Sequence, residues 1–125
     1  MFYDKVFLIL ILFGISILFF INNKDRFTQQ YKPTITIFYT EWCSHSKKMM
    51  PIWEEISSKY NNNINFKKVN CEDDTENKCG INNIRFLPTI IFYKINDNGK
   101  EYISQYKLGS NKNRFEDWIK NELKL

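Results

Sequence analysis

The sequence predicts a mixed α/β fold: a sheet of about four strands flanked by helices, preceded by one transmembrane helix. Three observations carry this. Residues 6–21 are sixteen consecutive uncharged and nearly all apolar residues. Beyond them, short β-branched and aromatic runs alternate with stretches of helical periodicity. Of the 125 residues, about 100 follow the apolar segment, enough for one core and too few for a multidomain enzyme.

As a helix, residues 6–21 rise about 24 Å, against a bilayer core of roughly 30 Å. Asp4 and Lys5 limit extension towards the N-terminus. The segment reads as a short span or a signal-peptide core. Asn22-Asn23-Lys24-Asp25-Arg26 offers no pair of small residues for cleavage, which favours an uncleaved signal-anchor over residues 1–23. A helix this apolar all round would swamp the core of a 100-residue domain. Residues 6–21 would thus meet membrane lipid in a single-pass protein. Lys24, Arg26 and Lys32 after the span weigh towards a cytosolic domain. The cysteines described below weigh more towards an oxidising lumen or exterior.

Residues 24–33 form a polar tether ending in Pro33, and the folded domain is expected over 34–125. Residues 34–40 read as a strand. Ser44 to Tyr60 reads as a helix, with Met49, Ile52, Trp53 and Ile56 on one face and Pro51 expected to kink it. Ile64 to Val69 is a second strand. Glu72 to Cys79 reads as a short helix stopped by Gly80. Thr89 to Lys94 and Lys100 to Tyr106 form an antiparallel hairpin around Asn96-Asp97-Asn98-Gly99. Ser110 is expected to cap a last helix, which places Phe115, Trp118 and Ile119 on an apolar stripe with Glu122 on its flank. Helices are expected on both faces of the sheet.

The net charge of +4, with acids interspersed and no basic run, gives no electrostatic basis for nucleic-acid binding. The abundance of Lys, Ile and Asn reflects AT-rich coding, as in an AT-rich cell or a large virus.

Cys43 follows a strand and opens a helix. There the unpaired amides and the helix dipole stabilise a thiolate, and the thiolate is the nucleophile. His45, Lys47 and Lys48 add positive potential. The plain alternative is a buried, inert cysteine.

Trp42-Cys43-Ser44-His45-Ser46-Lys47 resembles the W-C-x-x-C-K motif of the thioredoxin superfamily, and His45 resembles its protein disulfide isomerase branch. Pro51 falls eight residues after the cysteine, as in that family. Ile84 to Thr89 resembles the segment carrying the family's cis-proline, at Pro88. Lys107-Leu108-Gly109 before an amphipathic helix resembles the family's ending. The resemblance covers residues 34–125 and implies a thioredoxin-like domain.

Two residues depart from the family. The second active-site cysteine is Ser46, and the buried acid six residues before the first cysteine is Ile37. Only about a dozen residues separate the apolar segment from Thr34, too few for the family's usual first strand and helix; Phe27 to Tyr31 could add a short edge strand. The resemblance implies that Cys43 attacks disulfides, with Ser46 donating to the thiolate. Leu87 and Pro88 would hold an extended client, between Trp42 and Phe86. A second thiol would come from the client, glutathione or a partner. It also implies a structural disulfide between Cys71 and Cys79, with two free buried thiols the alternative. No cofactor is implied, and the three cysteines and His45 are too scattered for a metal site. Two other readings stand beside monothiol exchange. One is a non-catalytic peptide- or protein-binding module; the other is an iron–sulfur carrier, which lacks its C-G-F-S motif here.

Overall fold

A computed structural model describes residues 1–24, 31–96 and 98–124. The chain forms two compact units, Met1–Gln30 and Tyr31–Leu125. The first contains helix α1, Phe2–Lys24. Its apolar side chains are exposed from Val6 through Ile17, with Phe7 at 68% and Leu12 at 63%. Among the described residues no helix is long and apolar enough to cross a membrane. The expected transmembrane helix is therefore not found as such. Asp4 and Lys5 at one end and Asn22, Asn23 and Lys24 at the other confine the apolar run to about 24 Å. Most of the expected tether, and the edge strand considered at Phe27 to Tyr31, lie outside the described residues.

The second unit runs β1 (Thr34–Tyr39), α2 (Ser44–Tyr60), β2 (Asn65–Asn70), α3 (Lys78–Ile81), β3 (Thr89–Ile95), β4 (Glu101–Tyr106) and α4 (Lys112–Leu123). The sheet order is β2-β1-β3-β4. β1 pairs parallel to β2, which requires the α2 crossover, and antiparallel to β3. β3 and β4 form the expected hairpin, with Gly99 at φ +72° supplying the left-handed position. Asn96 Oδ1 accepts from the N–H groups of Asn98 and Lys100, so the connection is wider than a two-residue turn.

One face of the sheet carries the core. Ile35 and Ile37 on β1 lie beside Phe92 and Ile90 on β3, and Ile90 lies beside Tyr106 on β4. Met49, Trp53 and Ile56 from α2 and Phe115 and Ile119 from α4 pack onto them. The rings of Trp53 and Phe115 stack with centroids 6.1 Å apart, and Trp53 meets Phe66 of β2 edge-on. Fully burying side chains of this size stabilises by about 1.5–3 kcal/mol each.

Helices α2 and α4 therefore share one face of the sheet. They are joined by Glu116, whose carboxylate accepts from Lys59 at 2.6 Å and from Tyr60 at 2.8 Å. These contacts, with Lys120, hold Glu116 at a pKa of about 2.

Two local expectations are corrected. The cap of α4 is Asn111, not Ser110: its Oδ1 accepts from Arg114 N–H at 3.0 Å. The short helix lies at Lys78–Ile81, with Gly80 inside it, instead of at Glu72 to Cys79. Side chains compete for the backbone before it. Asn70 Oδ1 accepts from Glu72 N–H, Asp74 accepts from Cys79 N–H, and Asn77 takes φ +52°. The helix α2 continues through Pro51 without a break in its assignment.

Candidate active site

β1 ends at Tyr39 and the chain turns through Thr40, Glu41 and Trp42 to deliver Cys43 as the N-cap of α2. Its backbone is extended, φ −72° and ψ 119°, and its carbonyl accepts the first α2 bond from Lys47 N–H at 3.0 Å. The side chain is half-buried. Its Sγ donates to the carbonyl of Leu87 at 3.5 Å. The Leu87–Pro88 peptide bond is cis. Thr89 Oγ1 donates to Phe86 O at 2.6 Å and ties the same segment into the start of β3. Residues 44 apart in sequence thus meet because β1 and β3 are neighbours in the sheet.

The Cys43 pKa is lowered. The N–H of Ser46 contributes most, and the Ser46 hydroxyl and the His45 N–H add to it, while burial opposes them. These are the free donors of the first turn of α2. Ser46 itself is wholly buried, and its hydroxyl has no hydrogen-bond partner while Cys43 is a thiol directed at Leu87. Beneath the site Ile37 is wholly buried, so the position that holds an acid in the family is apolar here.

Trp42 and Phe86 are 67% and 80% exposed, unusual for rings of that size, and flank the thiol. A groove of about 290 Å³ is lined by the Leu87–Pro88 segment, His45, Lys107, Gly109 and Ser110. The structure brings Cys43, Ser46 and Leu87 together and places Pro88, Phe86, Trp42 and His45 around them. Cys71 and Cys79 lie in the β2–β3 connection and are joined to each other, S–S 2.09 Å. Cys43 is the free cysteine.

Two features of the site are not read from the sequence. The loop after β4, Lys107 to Ser110, lines the groove, although its residues read only as the family-like ending and a helix cap. Thr40 is buried with an unpartnered hydroxyl, although it reads as one more strand residue. Among the described residues no group of three or more His, Cys, Asp or Glu side chains could hold a metal ion.

The thioredoxin family profile matches residues 20–121. A thioredoxin of Borreliella burgdorferi is 33% identical over 92 residues, covering 74% of this chain and 76% of that protein. A Schizosaccharomyces pombe protein named as a protein disulfide-isomerase is 33% identical over 76 residues; the match covers 61% of this chain but 15% of that protein. Among solved structures, the Trx4 domain of ERdj5 superposes with a TM-score of 0.64 at 17% identity, covering 74% of this chain and 80% of that one. The strand-to-helix cysteine, the cis-proline segment facing it and these matches lead to one conclusion: the chain belongs to the thioredoxin family.

Proposed function

We propose that this protein is a monothiol thiol–disulfide exchange protein of isomerase-like type, acting on disulfide-bearing proteins through Cys43. One observation carries the reading. Cys43 has a lowered pKa and faces the Leu87 carbonyl, while the other two cysteines are bonded to each other. The thiolate attacks a client disulfide, forms a Cys43–client S–S bond and releases the client's other sulfur as a thiolate. With Ser46 in place of a second cysteine, the mixed disulfide waits for an external thiol. If a different cysteine of the client attacks the client sulfur bonded to Cys43, a new client disulfide forms, Cys43 leaves as a thiolate, and the client is rearranged with no net electron transfer. Ser46 donates to the thiolate when Cys43 leaves. His45 adds positive potential at the helix start. Leu87 and Pro88 hold the client's extended backbone, with Trp42 and Phe86 as the apolar rim. The isomerase-like assignment is supported by His45 inside the motif and by the Schizosaccharomyces relative.

The test is to trap mixed disulfides in cells with wild-type protein and with Cys43→Ser. Disulfide-linked clients are expected with wild type alone. Clients retained equally by Cys43→Ser would instead support a non-catalytic binding module, the reading favoured by the exposure of Trp42 and Phe86.

We further propose that residues 6–21 anchor the chain in a membrane, with the domain on an oxidising side. The exposed apolar side chains of α1 need cover, and the Cys71–Cys79 disulfide needs an oxidising compartment. Carbonate extraction and protease protection of membranes test both parts. A protein released by carbonate, or a domain digested from the cytosolic side, overturns the corresponding part.

A further inference from the structure

Four cations lie in the segments that form the Cys43 site and its groove. Lys47 and Lys48 occupy the first turns of α2, Arg85 precedes the Phe86–Pro88 segment, and Lys107 lines the groove; all are exposed. His45 lines the groove too. Carboxylates stand at the same end of the sheet: Glu41 in the turn before Trp42, and Glu72, Asp73 and Asp74 after β2, whose last residue Asn70 pairs with Tyr39.

Ion pairing of the lysines is mixed across the domain, and Lys67 and Lys94 have no carboxylate partner among the described residues. Lys59, Lys68, Lys78, Lys112 and Lys120 each lie in an ion pair with a glutamate. Among the described residues, Lys47, Lys48, Arg85 and Lys107 have no such partner. The residues lining the groove include no Asp or Glu. A concave surface lined by one sign of charge focuses its potential and raises the local concentration of oppositely charged ligand.

We propose that the site selects client disulfides flanked by acidic side chains. This rests on the exchange reading above and adds the substrate class. An extended segment held at Leu87 and Pro88 would run its side chains past Lys107, which lines the groove, and near Arg85, which precedes Phe86. Carboxylates within two residues of the client cysteine meet these cations. The chemical step is unchanged: the Cys43 sulfur bonds to the client sulfur, the client S–S bond breaks, and the displaced sulfur leaves as a thiolate. Another client thiolate then attacks the client sulfur bonded to Cys43, a client S–S bond forms and Cys43 leaves as a thiolate, so electrons balance.

The experiment uses the full chain in detergent and three short peptides of equal length. Each carries one cysteine as a disulfide with thionitrobenzoate, flanked by Asp, Ser or Lys. Release of thionitrobenzoate reports attack by Cys43. The Asp peptide is expected to react about tenfold faster than the Lys peptide at low ionic strength. The ratio should fall towards one in 1 M salt, where the screening length is about 3 Å. It should fall to one or invert in Arg85→Glu/Lys107→Glu. A ratio cancels any general loss of reactivity or of folded protein. Equal rates for the three peptides in wild type overturn this proposal and leave the exchange reading standing. A preference that survives both salt and charge reversal assigns the selection to shape and also overturns it. No release from any peptide overturns the exchange reading and this proposal together.

Discussion

On the proposed exchange reading, Ser46 decides what kind of chemistry Cys43 can complete. Its hydroxyl is buried, unpartnered and close enough to the sulfur to help lower the thiol pKa. Ser46→Ala should therefore raise the Cys43 pKa and slow alkylation at neutral pH. The rate of iodoacetamide reaction against pH measures it, with the wild-type midpoint expected below the free-thiol value of about 8.5. Ser46→Cys should place a second thiol one helical turn from the first and create dithiol reductase turnover that wild type lacks. Ile37→Asp in that background should raise turnover further by supplying a proton acceptor beneath the site. It should also lower stability by on the order of 2–5 kcal/mol, because the position is wholly buried. Insulin reduction with a dithiol donor compares the four proteins, and urea denaturation gives the stability change. Wild type as fast as Ser46→Cys would show a resolving thiol elsewhere.

Two contacts between elements set the domain's response to acid and to reductant. Glu116 ties α4 to α2 through Lys59 and Tyr60, and its pKa is lowered to about 2, first by the Lys59 bond. An unfolded glutamate titrates near 4.3. The folded value is the lower one, so the contribution is fully present above about pH 4.3 and disappears as pH falls through about 2. Glu116→Gln should therefore lower the urea midpoint at pH 7 and flatten its decline between those two pH values. A decline as steep as wild type would place the acid sensitivity in other carboxylates. The Cys71–Cys79 bond closes a short loop in the β2–β3 connection. Replacing both cysteines by alanine should destabilise by about 2–3 kcal/mol, chiefly by freeing the unfolded chain. The change is read as a lower denaturation midpoint that reductant no longer affects.

At the scale of the whole molecule, the core belongs to the second unit. Every residue of the buried cluster lies between Ile35 and Ile119. Residues 31–125 should therefore fold cooperatively when produced alone, with a single sharp thermal transition by circular dichroism and a monomeric elution volume. Aggregation or a broad transition would show that α1 contributes to the fold.

The strands, α2 and the hairpin were legible in the sequence because their signals are local: β-branched runs, 3.6-residue periodicity and an Asn-Gly turn. So were Cys43, Ser46, His45 and the Pro88 segment, because motif chemistry sits in contiguous residues. The short helix and the α4 cap were misread by a few residues. Side chains of Asn70, Asp74 and Asn111 bind backbone groups there, and that competition depends on small differences in geometry. The α2–α4 packing on one face, the Glu116 contacts and the Lys107–Ser110 wall were decided only by the tertiary structure. Each joins residues far apart in the chain, and the sheet order that brings them together follows from the summed packing of all the elements. The same holds for the 3.5 Å approach of Cys43 to Leu87. The sequence by itself determined that Cys43 opens α2 with Ser46 three residues on, because both lie in one contiguous stretch; pairing β1 with β3 determined what the Cys43 sulfur faces.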